Sequence, residues 1–260
     1  MHDDSAQHAE QAMNTPELLT SVYDHWYHRM WAAEHGGARF EQEIADLIGR
    51  LPQIDYNRRV IDLGAGFGRI SNALAERGYE VTGVEIADEL RAIAAADAAA
   101  NGLTSTFVGG DWHTFTAEQP AAAVLLWGTT YGHGGDEGDA ATLATAHGLL
   151  APGGVLLIEL RNWGAPVRSF EFATHRSSDG AELFELHDYD VYTSTQHTRQ
   201  TLVHEGRVVK QLEYSLRRYA LHEILADCRA AGFAEVDATE VGGGRVTPSS
   251  QRIVVRAIRG

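Results

Sequence analysis

Apolar positions along the chain repeat with two different periods, and the change of period divides it. Behind Pro16, Leu18, Leu19, Val22, Tyr23, Trp26 and Met30 recur at helical spacing, and Phe40, Ile44, Leu47, Ile48 and Leu51 form a second such stripe. Residues 15 to about 51 are therefore expected to be helical. Residues 1–14 are polar, lack that periodicity and are expected to be a mobile tail.

From Arg59 short apolar runs alternate with helical stretches. Strands are expected at Arg59 to Leu63, Glu80 to Glu85, Thr106 to Val108, Ala122 to Trp127 and Val155 to Leu160. Helices are expected at Arg69 to Arg77, Glu89 to Ala100 and Ala140 to Leu150, with Gly78, Asn101-Gly102 and the turn Pro152-Gly153-Gly154 as punctuation. Such alternation predicts a mostly parallel, doubly wound sheet covered on both faces.

Between about Val167 and Tyr219 the period falls to two. Phe170 to Phe172, Glu182 to Leu186, Tyr189 to Thr195, Thr198 to Val203 and Val208 to Tyr219 all alternate, with turn signals at Asp179-Gly180 and Glu205-Gly206. An antiparallel insert is expected there. A helix from Leu221 to Ala231 and strands at Ala234 to Val241 and Arg252 to Ile258 close the pattern. Residues 15–260 thus read as one α/β domain with a seven-stranded sheet.

Charge narrows the partners. Twenty-one basic against 36 acidic residues give a formal net charge of -15, which opposes binding to nucleic acid and to anionic membrane surfaces. The single cysteine, Cys228, allows no internal disulfide, and the acidic Met1-His2-Asp3-Asp4 start does not resemble a signal peptide. A cytoplasmic protein is expected.

The candidate chemistry starts where the first strand meets Gly64-Ala65-Gly66-Phe67-Gly68. A glycine turn between strand and helix lets a ligand approach bare backbone and meet helix N-terminal amides. A dinucleotide fingerprint reads G-x-G-x-x-G, and here Arg69 stands where its third glycine belongs. Glu85, at the end of the second strand, is placed to accept hydrogen bonds from ribose hydroxyls, which suits either cofactor class.

Val60-Ile61-Asp62-Leu63-Gly64-Ala65-Gly66-Phe67-Gly68 resembles the first motif of class I S-adenosylmethionine-dependent methyltransferases, which have a Rossmann-like fold. Glu85 matches the ribose carboxylate of that family, Gly110-Asp111-Trp112 its adenine-contacting segment, and Leu149-Leu150-Ala151-Pro152-Gly153-Gly154 the turn before its fifth strand. Leu216-Arg217-Arg218-Tyr219 and Ala231-Gly232-Phe233 resemble a small-molecule subgroup with a β insert before the last helix.

The resemblance implies S-adenosylmethionine as cofactor and a small-molecule acceptor. It places Gly64, Ala65, Gly66 and Phe67 beside the methionine part, Glu85 and Ile86 at the ribose, and Asp111 and Trp112 at the adenine. For Asp111 and Trp112, a turn acid and a packed aromatic are the alternative. Asp62 either orients the turn and the cofactor's ammonium group or is a buried carboxylate satisfied by the loop.

The segment Trp127-Gly128-Thr129-Thr130-Tyr131-Gly132-His133 follows the fourth strand, at the carboxyl edge where open sheets bind ligands. Trp127 and Gly128 are expected at the cofactor. His133 is the candidate general base and Tyr131 a substrate-orienting hydroxyl, against the alternative of a solvent-facing loop histidine. Family members commonly cover the cofactor with N-terminal aromatics, so Tyr23 is assigned to cofactor and Tyr27 and His28 to substrate within a helical lid over residues 15–51. An ordinary packed helix is the competing reading. Arg161 and Asn162 are candidates to grip a substrate carboxylate or carbonyl, or else form an exposed loop pair.

His25 and His28 have helical spacing without a metal-binding motif around them, and no metal is expected. The insert either roofs the pocket or supplies a homodimer surface, and Gly242-Gly243-Gly244 is expected at the entrance. Two other functions share these features: a nicotinamide-dependent oxidoreductase, and a methyltransferase fold that serves as a cyclase or binding module.

Overall fold

The computed structural model describes residues 14–32, 37–52, 58–163 and 170–260. Most of the expected tail, Met1 to Met13, and the first residues of the expected insert lie outside the described residues. Asn14, taken as the end of that tail, is buried.

The N-terminal region comprises α1 (Pro16–Val22), α2 (His25–Trp31) and α3 (Gly37–Arg50). The first apolar stripe is two helices rather than one. Asp24 accepts from the amides of Trp26 and Tyr27 at 2.9 and 3.2 Å, so it restarts the helix as an N-cap and leaves Tyr23 at the joint.

The alternating region gives β1 (Arg59–Leu63), α4 (Arg69–Glu76), β2 (Glu80–Glu85), α5 (Asp88–Ala100), β3 (Thr106–Gly109), β4 (Ala121–Leu126), α6 (Gly135–Leu149) and β5 (Leu150–Arg161). Helix α6 begins five residues before the expected Ala140, because Asp136 and Glu137 complement the positive end of a helix in its first turn. The expected turn at Pro152-Gly153-Gly154 is a bulged continuation of β5, with the pairing to β4 slipping between Ala121 and Ala123.

The insert contains β6 (Ala173–Ser178), β7 (Ala181–Asp190), β8 (Thr195–His204) and β9 (Arg207–Arg217), followed by α7 (Leu221–Ala230), β10 (Phe233–Glu240) and β11 (Arg252–Arg259). Asp179-Gly180 and Glu205-Gly206 all have positive φ, the mark of two-residue hairpin turns. The strand expected at Tyr189 to Thr195 is instead the end of β7 and a loop, with Ser194 at φ 52°.

The main sheet has the order β10-β11-β5-β4-β1-β2-β3, parallel except for β11, which is antiparallel to both neighbours. All six residues of β4 are buried, as a central strand covered on both faces requires. Alternate side chains feed two cores. Ile61, Leu63, Val124, Leu126, Leu156 and Ile158 pack with α6 and α7, whereas Val60, Ala123, Leu125, Val155 and Leu157 pack with α3 and α4. Chain order reverses between β1 and β4, which opens a crevice beyond their carboxyl ends. The insert forms its own sheet, β6-β7-β8-β9, and Met30 of α2 packs there on Ala181, Leu183 and Leu202.

Candidate functional site

The glycine turn is held by its neighbours. The amides of Gly64 and Ala65 both donate to the Val84 carbonyl, at 2.8 and 3.1 Å. A Cβ on Gly64 would lie 2.5 Å from Thr130 Cγ2, and one on Gly68 would lie 2.8 Å from Ala94 Cβ. Those two glycines are required by packing. Gly66 differs, because at φ 56° a Cβ there would meet nothing within 4 Å. Its bare backbone borders open space, which is the cradle that a close-lying ligand needs.

Glu85 lies behind that cradle, 4% exposed. Its Oε2 accepts from Gly66 N and its Oε1 from Ala87 N, both at 2.8 Å, tying the glycine turn to the Ile86 loop. Burial pushes its carboxyl pKa up, while the Ala87 and Gly66 amides pull it back. Asp62 is buried below, accepts from Ser71 Oγ at 2.6 Å, and is pushed up to about 6 by desolvation. Asp111, after β3, accepts from His113 N at 2.9 Å and keeps a partly exposed carboxylate, whereas Trp112 packs into the core.

The loop after β4 is clamped on both sides. Trp127 Nε1 donates to Glu43 at 2.7 Å, and Gly128 N donates to Glu159 at 3.1 Å. Glu43 pairs with Arg69, and Glu159 with Arg252. Asp139 Oδ1 accepts from Gly132 N and Gly134 N at 3.1 and 3.3 Å, and its Oδ2 accepts from Tyr219 Oη at 2.9 Å. His133 sits between those two anchored amides. Tyr131 is buried with its ring 5.0 Å from that of Tyr219, and burial raises its hydroxyl pKa.

His133 is 3% exposed, so it is not a solvent-facing loop histidine. Its Nε2 lies 2.8 Å from Tyr23 Oη and its Nδ1 lies 3.3 Å from Asn14 Nδ2. Asn14 is oriented by Ser215, whose amide donates to Oδ1 and whose carbonyl accepts from Nδ2. The ring's Nδ1 therefore accepts, which leaves the proton on Nε2, donated to Tyr23. Burial first, then the nearby charges of Arg218 and His113, lower the His133 pKa to about 3. Tyr23 is pushed well above its ordinary value by burial and by Tyr27 and Tyr214. Both partners are neutral across the working range.

The N-terminal aromatics join the two halves of the site. Tyr23 packs edge-on to Tyr27 with centroids 4.9 Å apart, and Tyr27 and His28 reach Phe67 of the glycine turn at 6.3 and 4.9 Å. Burial lowers the His28 pKa. Arg161 is exposed at the end of β5. The Asn162 side-chain amide donates to the carbonyls of Thr247 and Ser250, at 3.1 and 2.8 Å, so it anchors that loop. Among the described residues no group of three or more potential metal ligands occurs, and no helix is long and apolar enough to cross a membrane.

Several site residues carried no motif. Asn14 reaches His133 across 119 residues, Asp139 holds amides seven and five residues before it and Tyr219 80 residues after it, and Glu43 and Glu159 come from distant elements. The buried face of β8, with Gln196, Thr198 and Gln200, is polar where a core strand would be apolar. That alternation is legible in the sequence.

Residues 60–154 match a family model described as a methyltransferase domain. YqeM of Bacillus subtilis (strain 168), a methyltransferase by name, is 25% identical over 210 residues, covering 73% of this chain and 83% of its own. The solved CcbJ methyltransferase from Streptomyces caelestis is 25% identical with a TM-score of 0.72, over 84% of this chain and 88% of that one. CalS10 from Micromonospora echinaspora, an amino pentose methyltransferase solved with S-adenosylmethionine, has a TM-score of 0.64 at 21% identity, covering 88% and 95%. The sheet order and the turn at Gly66 agree with these matches: residues 60–154 are a methyltransferase domain, and the chain has the fold of solved S-adenosylmethionine-dependent methyltransferases.

Proposed function

We propose that the chain methylates an amine nitrogen of a small molecule, with Tyr23 orienting that nitrogen. The cofactor supplies an electrophilic methyl on a sulfonium, and the displacement demands in-line alignment from the protein. Gly64, Ala65, Gly66, Phe67, Glu85 and Ile86 hold the donor, with Asp111 at its adenine and Trp127 and Gly128 along its edge. Tyr27 and His28 wall the acceptor side. Tyr131 braces the loop against Tyr219 instead of touching substrate.

The observation that carries this reading is the neutral Tyr23–His133 pair. Methylating a hydroxyl requires a group that takes its proton, and a histidine lowered to about 3 does not do so at neutral pH. Nor does a tyrosine raised far above neutrality ionise to act as base. A free amine already presents a lone pair and loses its proton to water after transfer. Because His133 donates to Tyr23, the tyrosine's own hydrogen and second lone pair are available to the acceptor. The acidic surface and single thiol support a cytoplasmic enzyme of small metabolites.

The test pairs small amines with the corresponding alcohols in the presence of S-adenosylmethionine. Methyl incorporation on nitrogen, with a rate that rises with pH up to the amine's own pKa, is expected. Transfer to the alcohols alone would overturn the reading.

A further inference from the structure

We propose that the acceptor is anionic and that Arg218 binds its carboxylate or phosphate; this rests on the small-molecule methyl transfer argued above and extends it to substrate class. Arg218 is 9% exposed, and its guanidinium Nε and Nη2 donate to Gln196 Oε1 at 3.2 and 2.7 Å. One face lies over the Trp163 ring, 4.1 Å from its centroid. A neutral amide and an indole do not cancel a buried positive charge.

The other well-shielded arginines show what is missing. Arg50 pairs with Asp46, Arg69 with Glu43, and Arg217 with Asp136 and Glu223. Among the described residues no carboxylate pairs with Arg218, and Nη1 makes no hydrogen bond. A planar fork that is desolvated and lacks a counter-ion is suited to a bidentate oxyanion.

Its position connects it to the reacting region. Gln196, which holds the guanidinium, also contacts His187 and Thr198 on the inner face of the insert. Tyr214 is the register partner of Thr198, and its ring lies 6.5 Å from that of His133. The same face carries the buried Gln200 Oε1, which has no hydrogen-bond partner. An acceptor held by Tyr23 and extending along this face meets a donorless carbonyl and an uncompensated cation. Arg161, whose charge also acts on Arg218, adds to the positive field there.

The experiment uses the full chain saturated with S-adenosylhomocysteine, after calorimetry has measured that binding. Thermal melting is followed with inorganic phosphate, with formate, and with chloride at equal ionic strength. A saturable rise with phosphate or formate over chloride is expected, and whichever anion is preferred distinguishes a phosphorylated from a carboxylated acceptor. Arg218→Met should lose the shift, weakening the apparent Kd about tenfold or more, while Arg218→Lys retains part of it. Phosphate and formate behaving like chloride in the wild-type chain, or an unchanged shift in Arg218→Met, would overturn the proposal. Absence of S-adenosylhomocysteine binding would instead defeat the methyl-transfer reading, and the same titration on the cofactor-free chain would still decide Arg218.

Discussion

Tyr23 Oη lies 2.8 Å from His133 Nε2, and this contact couples the joint between α1 and α2 to the loop after β4 across 110 residues of sequence. Burial lowers the His133 pKa to about 3, so the neutral imidazole is a hydrogen-bond donor to Tyr23 in the proposed reaction. Tyr23→Phe removes the hydroxyl and keeps the ring. It should lower kcat about ten- to hundredfold while the Kd for S-adenosylhomocysteine changes little. Steady-state kinetics with calorimetry checks the split, and an equal loss in both would make Tyr23 a cofactor residue only.

Glu85 accepts the amides of Gly66 and Ala87, so Glu85→Ala frees both from the loop geometry they share. Cofactor affinity should fall about tenfold or more, since two charge-assisted bonds are involved. Calorimetric titration of S-adenosylhomocysteine is the measurement; unchanged affinity would remove Glu85 from the cofactor site.

Gly64 and Gly66 should separate folding from binding. Gly64→Ala drives a methyl to 2.5 Å from Thr130 Cγ2 at φ 75°, and should cost on the order of 1–3 kcal/mol of stability. Gly66→Ala carries the positive-φ strain without the clash, so it should lose less Tm than Gly64→Ala but lose cofactor affinity, because its methyl enters the open cradle. Melting curves and cofactor titrations on both variants test the contrast.

Asp62 supplies a pH signature. Its folded pKa of about 6 lies above its ordinary value of 3.8, so between these pH values the native state holds a proton that the unfolded state has lost. Stability from this group therefore falls as pH rises from about 4 to 6 and is constant below that window. Asp62→Asn does not ionise, so its stability relative to the wild type should rise across that window by about 1 kcal/mol per pH unit. Urea unfolding at pH 4, 5 and 6 measures the difference; a flat difference would count against a raised Asp62.

The sequence by itself determined the sheet, the glycine turn and Glu85, because each is a local pattern. A strand period, a glycine that alone tolerates positive φ and a carboxylate at a strand end are written in consecutive residues. Where the period is clear the strand limits agree, as at Arg59–Leu63 and Glu80–Glu85. Only the tertiary structure decided the roles of the chemistry-bearing side chains. His133 looks like a base from its intrinsic pKa, and it is burial, with Asn14 behind it and Tyr23 ahead, that makes it a neutral donor. Asn162 looks like a substrate clamp until its amide is found on the Thr247–Ser250 carbonyls. Arg218 is one of 21 basic residues in the sequence, and only its desolvation without a counter-ion sets it apart. Protonation and charge balance depend on what surrounds a group, and those surroundings come from residues far apart in the chain.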